Sequence, residues 1–121
     1  VTEPELWIDA RLKPEHISPK LISDLKLFAP FGDGNPEPVF MLENMRVAEA
    51  RLVGNGNKHW KLKLAVENGN KVFDAIGFSL GEAFPNLRRE ERLDVVFHLK
   101  ENTWNGSIGI QLKLLSLRHR V

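Results

Sequence analysis

The sequence predicts a mainly β protein, a small five-stranded barrel preceded by a strand-helix arm, and three observations carry that expectation. Past residue 38 the apolar residues recur with a period of two rather than 3.6. Short Gly/Asn turns, GNGN at 54–57 and NGN at 68–70, punctuate these alternating runs. Between the arm and the barrel lies 29–40, APFGDGNPEPVF, which has no periodicity and packs two glycines and three prolines into one stretch. Gly32 and Gly34 are free to take positive φ, Asp33 and Asn35 form turns, and Pro36 and Pro38 push the residues before them out of helix. That composition predicts a rigid, irregular elbow.

The elements follow in order. Residues 6–12 alternate, with Leu6, Ile8, Ala10 and Leu12 on one face and Trp7, Asp9 and Arg11 on the other, as in a half-buried strand. Ser18 supplies an N-cap oxygen and Pro19 suits the first helical position; Leu21, Ile22, Leu25 and Phe28 then form the apolar stripe of a helix of about ten residues. Pro30 and Gly32 stop it. After the elbow, 39–53 reads as a long strand, 59–66 alternates with Trp60, Leu62 and Leu64 inward, and 72–79 forms a third strand. Residues 80–91 lose the period of two and are interrupted by Pro85, which predicts a short, broken helix. Strands at 93–99 and 108–117 close the chain around a polar loop at 101–107. Three strands, a helix and two strands is the order of the OB-fold, a Greek-key barrel, and a long bent first strand serves its closure. An SH3-like barrel, the nearest rival, lacks such a helix. The expected division is an arm and elbow over 1–38 and a barrel over 39–121.

One stretch also carries a family likeness. Residues 27–40, LFAPFGDGNPEPVF, resemble the Leu-x-Pro-Phe-Gly-x-Gly-Asn-Pro-Glu-Pro-x-Phe signature in the C-terminal part of RecJ-type single-strand-specific exonucleases. HWKLKL at 59–64, DAIGF at 74–78, DVVFHLK at 94–100 and NTWNGSIGIQL at 102–112 agree with it in order. The resemblance implies an OB domain of a bacterial 5′ to 3′ single-stranded-DNA exonuclease of recombination and repair, working in the cytoplasm. It implies as partners single-stranded DNA, the catalytic core of a parent chain and a protein such as single-strand-binding protein. RecJ-like cores carry Asp-His-His and Gly-Gly-His motifs with manganese or magnesium; neither motif occurs here, so no metal ligand transfers to this chain. The start at Val1 fits the expectation of a piece of a longer protein.

Composition is compatible with this. The 121 residues are 42% hydrophobic, enough for one modest core, and contain no cysteine, which excludes thiolate catalysis and a disulfide framework. No apolar run approaches the roughly 20 residues that span a bilayer, and residues 1–20 lack a signal-peptide pattern. The net charge of +1 hides an asymmetry: four Lys/Arg against eight Asp/Glu in 1–45, then thirteen against eight in 46–121. The β-rich part is the basic part, a mild bias toward polyanions.

No catalytic site is expected. His16, His59, His98 and His119 are scattered, none at metal-ligand spacing, and the prolines after GDGN forbid a phosphate-binding helix N-terminus. The binding evidence is better. With Trp60, Leu62 and Leu64 inward, Lys61 and Lys63 stand outward, Lys58 and His59 lie at the strand entrance, and Arg51 is on the neighbouring strand. An OB-fold binds oligonucleotides on the face of its second and third strands, between the loops joining strands one to two and four to five. The second of these loops offers Asn102, Trp104 and Asn105, and Lys113 points outward on the last strand. Trp104 either stacks a base or folds back to cap the barrel; the lysines either meet phosphates or serve as a solvated face; His59 either joins them or is a structural residue at a strand start. Trp60 belongs to the core. Phe73 is opposite in phase to Val72, Ile76 and Phe78, so it is either exposed or packed on the N-terminal helix, while Asp74 shares their phase and should be a buried carboxylate with a backbone or Arg partner. Trp7 marks a contact with the rest of a parent protein. The competing reading is a protein-interaction or ring-closing module with little DNA affinity of its own; a stand-alone RNA- or tRNA-binding barrel is a third, against which the arm argues.

Overall fold

Ser18 begins the arm's helix as its sequence directs: the Oγ accepts the Leu21 N–H at 3.3 Å, Pro19 occupies the first turn, and α1 runs Pro19–Lys26. The structure, a computed structural model, describes residues 8–67 and 71–120. Within them, β1 (Ala10–Arg11) precedes a single 3-10 turn (Pro14–His16) and α1, followed by β2 (Phe40–Val53), β3 (His59–Ala65), β4 (Val72–Gly77), β5 (Arg92–Trp104) and β6 (Ser107–His119). The sheet order is β1-β2-β3-β4-β6-β5, and β2 pairs with β5 to close a five-stranded barrel, with β1 added in parallel against Phe40 and Met41. The fold is the expected OB barrel.

β2 serves two sheets because it bends twice. Its register shifts between Leu42 and Met45, where it pairs with β5, and between Val47 and Glu49, where it pairs with β3; Asn44 takes φ 55° at the first shift. Asp94 secures that bulge. Its carboxylate is 2% exposed and accepts the Asn44 N–H at 2.9 Å, Arg118 at 2.7 Å and Arg120 at 2.9 Å. Burial alone would push this carboxyl up, but the bonds from Arg118, Asn44 and Arg120 outweigh it and hold its pKa below the usual carboxylate value.

The core comprises Phe40, Leu42, Met45 and Val47 of β2, Trp60, Leu62 and Leu64 of β3, Phe73 and Ala75 of β4, and the inward residues of β5 and β6, with Ile17 and Ile22 of the arm packed against it. Lys71 Nζ donates to the Pro14 and Ile17 carbonyls, tying the arm to the barrel.

Four expectations need correction. The segment between β4 and β5 forms turns, not a helix: Phe84 N–H reaches Leu80 O at 3.0 Å, but Pro85 has no N–H to continue the ladder. The 101–107 loop is almost all strand. Asn105 (φ 48°) and Gly106 (φ 79°) make a two-residue turn of the Asn-Gly kind, and β5 and β6 stay paired out to Trp104 and Ser107. β4 has the opposite phase to that expected: Phe73 is buried, whereas Asp74 is exposed and Phe78 is 51% exposed. Phe28 leaves the helical stripe because α1 ends at Lys26, and it is 64% exposed. Of the two elbow glycines free to take positive φ, Gly34 does so, at 81°. Of the expected first strand, Ala10–Arg11 is seen; Leu6, Trp7 and the 68–70 turn lie outside the described residues.

Candidate nucleic-acid interface

Cross-strand pairing builds one outer face from three strands. Arg51 of β2 lies opposite Lys61 of β3, and Glu49 opposite Lys63. On the other side Lys61 pairs with Ile76 and Lys63 with Asp74 of β4, and Asp74 and Ile76 continue to Gln111 and Lys113 of β6. Residues directly opposite in a ladder point to the same side, so all of these share a surface.

Over that surface opens a groove of about 940 Å³, bounded by the β5–β6 hairpin from Asn102 to Gln111. Arg51, Lys61, Lys63 and Arg89 line it against two carboxylates, Glu49 and Asp74. Lys63 Nζ stands 4.0 Å from Glu49, at the limit of an ion pair, and both side chains are more than half exposed, so the lysine stays available to another anion. Ile108, 69% exposed, continues the inward phase of Leu112 and Leu114 past the barrel wall and adds an apolar contact to the groove.

Arg89 is the residue that sequence reasoning missed. It comes from the turn segment after β4, and its Nε–H donates to the Ala48 carbonyl at 3.1 Å. A carbonyl at the register shift of β2 thus anchors the guanidinium at the groove wall. The only sequence signal is an arginine within a run expected to be helical.

The other expected residues separate. Arg51, Lys61, Lys63 and Asn102 line the groove together. Lys58 is exposed beside a separate shallow depression with Ser79 and Glu82. The Nδ1 of His59 accepts the Ser79 N–H at 2.8 Å, and its ring meets Phe78 edge-on at 5.4 Å. Asn105 occupies the hairpin turn, Trp104 is placed by its backbone at the end of β5, and Lys113 flanks the groove one pairing step beyond Gln111. Among the described residues no three His, Cys, Asp or Glu side chains come together as metal ligands. No helix is long and apolar enough to cross a membrane among the described residues.

The chain as a whole has relatives. A family model described as the RecJ OB domain matches residues 8–116. The single-stranded-DNA-specific exonuclease RecJ of Bacillus subtilis (strain 168) is 28% identical over 100 residues, covering 83% of this chain and 12% of its own length. The RecJ of Thermus thermophilus is 31% identical over 100 residues, covering 83% of this chain and 13% of its own. The crystal structure of RecJ from Thermus thermophilus in complex with Mn2+ superposes with a TM-score of 0.61 at 30% identity, over 83% of this chain and 14% of that one. The chain therefore spans about one eighth of the length of these curated relatives.

Proposed function

The chain belongs to the RecJ OB domain family, and from that premise we propose that it holds single-stranded DNA for a RecJ-like 5′ to 3′ exonuclease of bacterial recombination and repair. The observation that carries this reading is the groove: four cations against two carboxylates, on the strand face and beside the hairpin that OB-folds use for oligonucleotides. The cations take the phosphates, and apolar and polar groups of the hairpin, Ile108 and Asn102, meet the bases. The barrel is the holding element, and manganese- or magnesium-dependent hydrolysis belongs to a catalytic core in the rest of such a protein, in the cytoplasm.

Anisotropy of a labelled oligo-dT, titrated with the chain at low and moderate salt beside an equal-length duplex, tests this reading. Binding should favour the single strand and weaken with salt with a log–log slope of about −3, if four phosphates are neutralised at about −0.7 each. Lys61→Glu/Lys63→Glu should abolish it. Absence of binding at low salt overturns the reading.

One observation favours a second reading, that the domain is a scaffold docked on its catalytic core or on a partner such as single-strand-binding protein. Leu27 and Phe28, at the end of α1 beside the elbow, are 81% and 64% exposed. Protein binding that survives loss of Lys61 and Lys63 would support it.

A further inference from the structure

We propose that Phe78, braced by His59, is a base-stacking platform that extends the single-strand path past the end of the groove; this rests on reading the groove as a single-strand site. Phe78 follows the last residue of β4, and because β4 turns Phe73 and Gly77 inward, Phe78 stands on the outer face, 51% exposed. That face is continuous. From the groove outward, β3 presents Lys63, Lys61 and His59, while β4 presents Asp74 opposite Lys63 and Ile76 opposite Lys61; Phe78 stands beside His59. Steps of two residues along a strand cover about 6.7 Å, comparable with the reach of one nucleotide in an extended single strand. Lys61, one outward position along β3 from His59, brings positive charge beside the aromatic pair.

The platform is held rigidly. The His59 ring meets Phe78 at an interplanar angle of 71°, the geometry aromatic pairs prefer. Its Nδ1 accepts the Ser79 N–H, and on its other side Gly54 approaches so closely that a Cβ there would lie 2.6 Å from His59 Cδ2. Gly54 has φ +84°, so the turn both needs and exploits glycine. A half-exposed phenylalanine with a fixed neighbour loses little rotamer freedom when a ring stacks on it. The ligand is therefore an unpaired nucleobase of any identity, since every base offers a π-face.

The test compares oligo-dT with an abasic deoxyribose-phosphate chain of equal length, by anisotropy, on the 121-residue chain and its Phe78→Ala and Phe78→Trp variants. Phe78→Ala should weaken oligo-dT binding about tenfold, leave the abasic chain and the salt slope unchanged, and keep the melting temperature. Phe78→Trp should bind oligo-dT at least as tightly as the parent sequence. Unchanged oligo-dT affinity in Phe78→Ala, alongside its loss in Lys61→Glu/Lys63→Glu, overturns the platform and leaves the groove standing. Equal weakening toward both polymers overturns it in favour of a structural role, and failure of the unaltered chain to bind oligo-dT removes groove and platform together.

Discussion

β3 and β4 are paired neighbours in one barrel wall, yet one announces its inner face and the other conceals it. In β3 the large residues Trp60, Leu62 and Leu64 point inward and the lysines outward. In β4 the inward positions are Phe73, Ala75 and Gly77, while Val72, Ile76 and Phe78 lie on the outer side. The register explains the difference: Gly77 is opposite Trp60, and Ala75 is opposite Leu62. Opposite Trp60 and Leu62 the inward residues of β4 are small, whereas Phe73, opposite Leu64, is large and buried; a Cβ on Gly77 would also come within 2.7 Å of Leu80 Cδ1. Volume matching at those two pairs accounts for the small inward residues that hide the phase of β4. Val72 and Phe78, left outside by that phase, are 50% and 51% exposed.

Two aspartates carry the same contrast and give its largest expected effect. The alternation assigns Asp74 the role of buried carboxylate with Arg or backbone partners; Asp94 holds that role. Asp94→Asn should cost about 3–5 kcal/mol, because it weakens the bond to the bulge N–H and removes the charge that assists the bonds from Arg118 and Arg120 to a buried oxygen pair, whereas Asp74→Asn should stay within about 0.5 kcal/mol as an exposed change. The folded pKa of Asp94 is depressed, so its contribution is fully present above the unfolded carboxylate value near about 3.9 and is lost as pH falls through the lower folded value. Urea denaturation from about pH 7 to about pH 3 should show the stability lead over Asp94→Asn holding steady and then narrowing below about pH 4. A lead that persists unchanged at the acid end would remove the charge from the explanation.

Next in size is a direct comparison of the two strands. Leu64→Ala, fully buried in β3, should cost about 3 kcal/mol through lost transfer energy and a cavity. Ile76→Ala, on the outer face of β4, should cost less than about 1 kcal/mol. Similar losses at both sites in chemical denaturation would mean that the outer face of β4 is part of the packed core after all.

Period-two alternation with large residues inside makes β2, β3, β5 and β6 legible, and Ser18-Pro19 makes the start of α1 legible. The phase of β4 is not, because alternation counts apolar residues and is blind to the volume already contributed by Trp60 and Leu62. The Asn105-Gly106 turn is readable but hides within a polar run, which turns the ends of two long strands into an expected loop. Within the groove, Arg51, Lys61 and Lys63 can be named because ladder pairing follows from strand phase, and Asn102 because the hairpin it belongs to is expected at the groove as a loop. Arg89 cannot, since its place depends on a turn segment and on the Ala48 carbonyl, which lies at a register shift of β2.

The smallest effects come from the groove's two newly placed charges and sharpen its electrostatics most. Arg89→Gln and Asp74→Asn each change one unit of charge, in opposite senses, at exposed positions with little structural role. Exposed charge contacts are worth up to about 1 kcal/mol, so Arg89→Gln should weaken oligo-dT binding about threefold and Asp74→Asn should strengthen it about threefold. Their salt dependences separate the causes. If the Arg89 guanidinium, anchored through Nε, gives its remaining N–H groups to a phosphate, its loss should flatten the log–log slope by about 0.7. Asp74 touches no phosphate in this reading and only repels the strand, so Asp74→Asn should shift affinity with the slope nearly unchanged. A flattened slope in Asp74→Asn, or an unchanged one in Arg89→Gln, would place the backbone of the strand elsewhere on the barrel.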